Sequence, residues 1–307
     1  MFSNHLGEYA ALLTAVFWTI TALAFEKASR KVGSLSVNMI RLCMAFVFLG
    51  LYSWVTRGLF LPIDATGFQW LWLSLSGLVG FVLGDYFLFR SYEVISARIS
   101  MLIMALAPPI AALISWIALD ESLNIKQGIG MLLTFAGIAL VILKREVDPD
   151  NEDSESTQKK VKLNYPLAGL LLAFGGAVGQ AGGLVLSKIG MQDYNVIAAV
   201  HIRVITGIAG FALMFLFSNR WSFLVNAIKN PVAMKRITLG AIFGPFLGVT
   251  FSLLAIKYTS TGVASAIMSI VPVIIIAPAI LIFKEKFNSK EVIGALITVG
   301  GVMLFFL

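Results

Sequence analysis

Charged residues are scarce in this chain of 307 residues: they make up 13% of it, whereas a soluble domain carries about a quarter. Hydrophobic residues make up 59% of the chain, and its mean hydropathy is +0.91. This composition excludes an ordinary soluble domain. It indicates a protein that crosses the membrane several times, with the helix bundle itself as its core.

Cysteine is almost absent, since Cys43 is the only one, which excludes an intrachain disulfide and a cysteine-based metal site. The sequence also lacks His-Glu-x-x-His, Gly-x-Ser-x-Gly and P-loop motifs. We therefore predict that the chain is not an enzyme and uses no catalytic residues, cofactor or metal. The net charge of +7 comes from basic residues in short loops, not from a long basic stripe, so we expect no nucleic-acid binding.

The second half of the sequence repeats the first. Residues 80–143 align with 244–307 at an offset of 164 without a gap, and by direct count about 19 of the 64 positions are identical. The matched pairs include Gly80 and Gly244, Met104 and Met268, and Pro108 and Pro272. Matched Gly and Pro residues in apolar segments are typical of transporters built on an internal two-fold.

Ten stretches are apolar and long enough to cross the hydrocarbon core, which takes about 20 residues in a helix. They are 6–26, 35–55, 68–89, 95–119, 127–143, 166–187, 195–217, 236–257, 260–283 and 290–307. Because backbone groups in lipid must bond within their own helix, we predict an all-α membrane protein with ten transmembrane helices. The repeat divides them into two five-helix units, 1–143 and 164–307, joined by a polar and flexible linker at 144–163.

The fifth and tenth stretches are short, and a capping-box pattern precedes each of them. Asn124 is followed three residues later by Gln127, and Asn288 in the same way by Glu291. We expect these side chains to satisfy the first free N–H groups of both helices.

Loop charges orient the bundle. Loops after odd-numbered helices hold 17 of the 23 Lys and Arg residues and the opposite side holds 4, while Arg41 and Arg203 lie within helices. Basic loops stay in the cytoplasm, so we predict a multi-pass protein of the cell (inner) membrane with both termini outside the cytoplasm. Because five helices is an odd number, the two halves must be inverted relative to each other. A monomer and a homodimer both remain open.

The chain resembles the EamA family of the drug/metabolite transporter superfamily, once in each half and over nearly its whole length. The residues that carry the resemblance are Asn38-Met39-Ile40-Arg41 and His201-Ile202-Arg203, Pro108 and Pro272, and Asp120-Glu121 before Gly130 and Gly137 with Lys284-Glu285 before Gly294 and Gly301. The resemblance implies a ten-helix carrier of small metabolites, often amino acids or other organic solutes, commonly moved outward.

Prolines at matched places mark a candidate solute pathway. A proline removes one backbone donor and frees a carbonyl one turn back, which a membrane tolerates where the break faces protein or a wet cavity. We predict a central cavity lined by Thr14, Trp18, Tyr86, Ser100, Met104 and Pro108 of the first half and by Gln180, Arg203, Thr250, Ser265, Met268 and Pro272 of the second. The alternative is that the breaks are packing kinks without solute contact.

Charges inside the spans are costly, by about 2.5–3.5 kcal/mol each on insertion scales. Arg41 and Asp85 lie at similar depth, which predicts either a structural ion pair or an Asp85 linked to proton or substrate movement. Arg203 is the repeat mate of Arg41, but Val249 stands where the first half has Asp85. Arg203 therefore either snorkels to the outer interface or forms an anion site for a carboxylate or phosphate.

Two functions fit these patterns. The first is a secondary transporter, with export the expected direction, that moves a small organic metabolite such as an amino acid or amphipathic solute by alternating access. Its partners would be the solute and the lipid bilayer, and proton coupling is open. The second is a membrane scaffold or receptor that has the fold without transporting. The matched breaks inside the membrane favour the first.

Overall fold

The computed structural model describes residues 5–119, 124–147, 159–259, 261–281 and 288–306. The loop residues Glu121 and Glu285, which carry part of the repeat pattern, lie outside these ranges. Within them the chain is a bundle of helices with one short pair of strands.

In the described part of the first half the helices are α1 (Leu6–Val32), α2 (Ser34–Arg57), α3 (Gly67–Val94), α4 (Ala97–Met104), α5 (Ala107–Leu119) and α6 (Ile125–Ile142). The start of α6 has the predicted capping box. The Asn124 side chain accepts a hydrogen bond from the Gln127 N–H, and the Gln127 side chain accepts one from the Asn124 N–H. This prediction is confirmed.

In the described part of the second half the helices are α7 (Leu167–Met191), α8 (Val196–Ser218), α9 (Trp221–Ile228), α10 (Pro231–Tyr258), α11 (Thr261–Met268), α12 (Val271–Ile274), α13 (Ile276–Leu281) and α14 (Ser289–Phe306). At the start of α14, Asn288 accepts a bond from the Lys290 N–H. Glu291 does not complete a reciprocal box, because its carboxylate binds Arg98 and Tyr165 instead. The Asn288 side chain thus satisfies an N–H group at the helix start as predicted, but the reciprocal bond to the Glu291 carboxylate is absent.

Eight helical segments of the described ranges are long and apolar enough to cross a membrane. They coincide with the first eight predicted spans. The predicted ninth span is divided among the short helices α11, α12 and α13, and the tenth corresponds to α14. The fold is thus a helical membrane protein of two repeats.

Helices α3 and α10 contain matching irregularities. Each includes a π-helical turn, at Leu78–Gly84 and at Ile242–Gly248, and the two turns are separated by the same offset as the sequence repeat. Phe81 lies in the first turn, where the second has Pro245. Such turns interrupt the regular helix and are frequent at functional sites.

A second matched pair of breaks separates α4 from α5 and α11 from α12. The helix stops at residues 105–106 in the first half and at 269–270 in the second, again at the repeat offset. Pro108 and Pro272 follow these breaks in the first turn of the next helix. An N–H group in the first turn has no partner within the helix, so a proline there costs no hydrogen bond. Both halves therefore place a helix interruption near the middle of the bundle.

The internal two-fold is visible where α6 packs on α14. A Cβ at Gly137 would lie 2.4 Å from Thr298 Oγ1, and a Cβ at Gly301 would lie 2.5 Å from the Thr134 nitrogen. The two contacts are equivalent under the repeat, because the offset of 164 relates Gly137 to Gly301 and Thr134 to Thr298. Because residue numbers rise along one helix as they fall along the other, the helices are antiparallel, which is the arrangement of an inverted repeat.

The halves also meet where α3 packs on α7. A Cβ at Gly179 would lie 2.4 Å from the Gly84 Cα, and one at Gly183 would lie 2.8 Å from the Gly80 Cα. Small residues let two membrane helices approach this closely. The contact brings the π-helical turn of the first half against the second half.

The segment between the halves has more structure than a flexible linker. Strands β1 (Leu143–Val147) and β2 (Lys159–Leu163) form an antiparallel pair, with Leu143 opposite Leu163. The structure thus differs from the expectation at both ends of 144–163. Strand β2 alternates basic and apolar residues from Lys160 to Leu163, a pattern that suits a half-exposed strand.

Candidate functional site

A cavity of about 140 Å³ lies between the two halves, where the π-helical turns and the helix breaks come together. Most of its wall is apolar. The polar and charged side chains that line it are Thr21, Arg41, Asp85, Tyr92, Gln180, Arg203, Ser252 and Ser269.

Asp85 is the centre of a buried polar network in this wall. Arg41 Nη2 donates to Asp85 Oδ2 at 2.5 Å, and Gln180 Nε2 donates to Asp85 Oδ1 at 2.8 Å. Arg41 is 3% exposed and Asp85 is 4% exposed. Since Gln180 lies on α7, the carboxylate joins both halves and has each of its oxygens occupied.

Arg41 is held on all sides. Its Nε donates to Asn38 Oδ1 at 2.9 Å, and Asn38 Nδ2 donates to the Ser34 carbonyl at 3.1 Å. Its guanidinium carbon also lies 4.8 Å from the ring centre of Phe89. The rings of Phe25 and Phe81 are each 5.7 Å away. A cation enclosed by aromatic faces and paired with a carboxylate is stabilised in place.

Arg203 has the opposite environment. It is 3% exposed and lines the cavity, which is inconsistent with snorkelling to the interface. Its guanidinium carbon lies 4.6 Å from the Phe81 ring centre, while its Nε has no hydrogen-bond partner. Among the described residues, no carboxylate or other acceptor contacts the guanidinium.

The structure brings seven of the predicted pathway residues to the cavity, and the predicted charge pair with them. Those seven are Trp18, Met104, Pro108, Gln180, Arg203, Met268 and Pro272. Four others lie outside its wall: Thr14, Tyr86, Ser100 and Thr250. The Ser265 side chain lies outside the described part of the chain. Contact of any of them with a solute stays a prediction.

Two of the four outlying residues use their hydroxyls locally. Thr14 Oγ1 donates to the Ala10 carbonyl at 2.8 Å, and Ser100 Oγ donates to the Ser96 carbonyl at 2.9 Å. Both side chains are fully buried among helices. A hydroxyl that bonds one turn back along its own helix needs no cavity.

Sequence reasoning missed the aromatic residues around the charge pair. Phe81, Asp85 and Phe89 are four residues apart along α3, which places them on one helix face. That spacing was the available signal. Asn38 was also missed as the second hydrogen-bond partner of Arg41.

A polar cluster lies near each end of the bundle. At the end where α3 finishes, Arg98 Nη1 lies 2.7 Å from Glu291 Oε2, and the Tyr165 hydroxyl donates to Glu291 Oε1 at 3.0 Å. Burial, with the Glu291 carboxylate adding to it, raises the pKa of Tyr165 to about 12. We call these three residues the α14-end cluster.

At the opposite end, where α3 begins, Arg57 pairs with Asp64. The Tyr194 hydroxyl donates to Asp64 Oδ1 at 2.9 Å. Burial, reinforced by Asp64, raises the pKa of Tyr194 to about 12, so both tyrosines remain donors at any physiological pH. We call these three the α2-end cluster. Each cluster joins a residue of one half to a residue of the other.

The sequence matches the model of the EamA-like transporter family over residues 5–143 and 167–307, once in each half. A solved crystal structure of a protein superposes with a TM-score of 0.60 over 97% of this chain and 96% of that one. Because the sequence identity is 16%, that likeness shows the fold alone.

Curated relatives are distant in sequence. The chain is 24% identical to the Bacillus subtilis protein named "Uncharacterized transporter YyaM", over 98% of this chain and 93% of that protein. It is 21% identical to the Saccharomyces cerevisiae "Uncharacterized membrane protein YMR253C", over 59% of this chain and 45% of that protein. It is 29% identical to the Arabidopsis thaliana "WAT1-related protein At4g01440", over 44% of this chain and 38% of that protein. The chain thus spans less than half the length of the yeast and plant relatives.

Proposed function

Because this chain belongs to the EamA-like transporter family, we propose that it is a secondary carrier that exports a small organic metabolite, such as an amino acid or amphipathic solute, by alternating access. The observation that carries the proposal is the cavity between the halves, which is walled by both repeats at their matched helix breaks. Broken helices at the interface of inverted repeats are where secondary transporters bind their solutes.

The breaks supply polar atoms to an otherwise apolar wall. Helix interruptions at residues 105–106 and 269–270 leave carbonyl groups without their regular helical partners. Met104 and Met268 lie beside these breaks in the cavity wall, where a flexible thioether can adapt to different solutes. The site therefore suits a solute with an apolar body and few polar groups.

The two end clusters support alternating access. The α14-end cluster and the α2-end cluster each hold the halves together at one face. Opening the cavity to one side requires the cluster at that side to separate while the other stays closed. Rocking of the halves about the cavity would exchange the two arrangements.

We assign the protein to the cell (inner) membrane with both termini outside, on the basis of the loop charges. In this orientation the α14-end cluster faces the cytoplasm. Export then requires this cluster to separate first, so that solute enters from the cytoplasm before the α2-end cluster opens.

A scaffold or receptor with the same fold is the alternative function. It would have no need of a cavity that brings together buried charges from both halves. Flux distinguishes the two functions.

We would reconstitute the full chain in liposomes and measure counterflow of labelled amino acids and small organic acids. The expected result is saturable uptake that Met104→Trp abolishes, because the larger ring fills a cavity of about 140 Å³. Met303→Trp is the matched control, since Met303 is exposed on α14, and should leave flux unchanged. Unchanged flux in Met104→Trp would place the pathway elsewhere, and absence of flux for every solute would favour the scaffold.

A further inference from the structure

Arg203 is a buried cation that no anion in the described ranges contacts directly, since Asp85 acts on it only at longer range. Its side chain lies on the cavity wall and is almost completely buried. Its Nε has no hydrogen-bond partner. A lone charge in this position is costly and marks a function by default. The Phe81 ring under the guanidinium offsets only part of that cost.

The described residues nearby do not bond to the Arg203 guanidinium. The charge of Asp85 reaches Arg203, but the Asp85 oxygens accept their hydrogen bonds from Arg41 and Gln180, so one carboxylate serves two cations. At the repeat mate of Asp85 the second half has Val249, which cannot pair with a cation. The internal repeat has thus kept the arginine in both halves and the carboxylate in only one.

The protein leaves room for Arg203 at this place. A Cβ at Gly80 would lie 3.1 Å from Arg203 Nη2, so a larger residue there would press on the guanidinium. The guanidinium therefore packs over Gly80 and Phe81 of α3, at a place where it also lines the cavity.

From this geometry we propose that Arg203 binds the carboxylate of the transported solute, and that the substrate class is small organic monocarboxylates. The inference rests on the proposed carrier function. The ionised groups of the cavity wall are two arginines and one aspartate, so a single negative charge makes the loaded site neutral. A phosphate monoester carries about 1.5 to 2 negative charges and would leave the site with excess negative charge.

The rest of the cavity wall indicates the polarity and size of the group that carries the carboxylate. Trp18, Met104 and Met268 present apolar surface to the cavity. A cavity of about 150 Å³ binds benzene in another protein, and this one is about 140 Å³. The geometry thus fits one carboxylate attached to an apolar group of about the size of an aromatic ring.

The test compares three probes of similar size and different charge: benzoate and benzamide, which have the same planar shape, and the cation benzylamine. Binding to the purified full chain in lipid nanodiscs would be measured by the rise of its unfolding temperature with probe concentration. We expect benzoate to bind about tenfold or more tightly than benzamide, the difference made by one charge-assisted hydrogen bond, and benzylamine not to bind.

Substitution then assigns the preference to Arg203. Arg203→Gln should remove it, with benzamide affinity unchanged, and Arg203→Lys should retain part of it. Arg220→Gln is the matched control, because Arg220 is exposed between α8 and α9. Without probe, Arg203→Gln should unfold at the same or a higher temperature, because it removes a buried cation whose Nε has no hydrogen-bond partner. If Arg203 served only as a structural cation–π partner of Phe81, Arg203→Gln would unfold at a lower temperature than the wild type.

Three results would overturn the proposal. The first is an equal response of the wild type to benzoate and benzamide, which includes no response to either. The second is a benzoate preference that survives in Arg203→Gln, and the third is tighter binding of phenyl phosphate than of benzoate. Flux of the three probes in liposomes separates this inference from the carrier function. Equal flux of all three probes would support the carrier function and contradict the carboxylate site at Arg203. Charge-selective binding without any flux would support the site and contradict the carrier function.

Discussion

Replacing Asp85 by asparagine should strongly destabilise the folded bundle. The substitution keeps the size of the side chain and a hydrogen-bond acceptor for Gln180. It removes the negative charge from a site that is 4% exposed. Arg41 and Arg203 then remain in the cavity wall as two cations without a counter-ion.

The magnitude depends on which kind of interaction is lost. A neutral hydrogen bond between membrane helices contributes about 0.6 kcal/mol on average. Leaving one partner of a buried ion pair uncompensated costs about 3–5 kcal/mol. Because Arg41 and Asp85 are both nearly inaccessible, we expect the larger value, partly offset by the rings around Arg41.

The assay is the free energy of unfolding in a double-mutant cycle. Asp85→Asn, Arg41→Gln and the double variant would be unfolded by denaturant in mixed micelles, with folded yield recorded for each. Arg41→Gln should partly restore the stability of Asp85→Asn, with a coupling of about 2 kcal/mol, in the upper range for contacting residues. Recovery is partial because Arg203 also loses the nearby charge of Asp85.

Asp64→Asn supplies the control, because its side chain is 39% exposed in the pair with Arg57. An exposed pair contributes about 0–1 kcal/mol, so this variant should be nearly as stable as the wild type. If Asp85→Asn matches this control and loses only the pH dependence of transport, Asp85 carries a proton and the structural reasoning is refuted.

Two further predictions concern the repeat and the orientation. Gly137→Ala should lower the free energy of unfolding by about 1–3 kcal/mol, because its methyl group would overlap α14; Gly300→Ala, with open space around it, should not, and equal stability of the two would contradict the close α6–α14 contact. A reporter cysteine at Asn151, in a variant without Cys43, should resist a membrane-impermeant thiol reagent in intact cells; Asn151 lies outside the described residues, and ready labelling there would reverse the orientation.

The two-repeat architecture could be predicted because the second half of the sequence repeats the first. A gap-free offset of 164 residues located the helix breaks before Pro108 and Pro272, and the same offset relates the two π-helical turns. Glycine and proline act on the backbone locally, so their positions are informative without knowledge of the tertiary fold.

Contacts between the halves could not be predicted in the same way. Gln180 reaches Asp85 across 95 residues of sequence, and no local pattern indicates which helix faces which. Glu291 shows the same limit: three residues after Asn288 it matches a capping box, but a tertiary ion pair with Arg98 outcompetes the local bond. Local rules fail where a distant charge offers the stronger partner.

Hydroxyl residues were poor guides to the cavity for a different reason. Thr14 and Ser100 lie four residues before Trp18 and Met104, which line the cavity, yet neither reaches it. In a helix such a side chain can bond to the carbonyl one turn back, and both do so. Charged and aromatic residues were better guides, because a buried guanidinium cannot be satisfied by its own helix alone.

The position of a bound solute shows whether the cavity between the halves is the transport pathway. A structure of the full chain in a lipid nanodisc, determined with the solute that it carries fastest, should show that solute between the helix breaks at 105–106 and 269–270. We expect the solute to contact both halves of the repeat. Solute bound within one half, or on the lipid-facing surface, would contradict it.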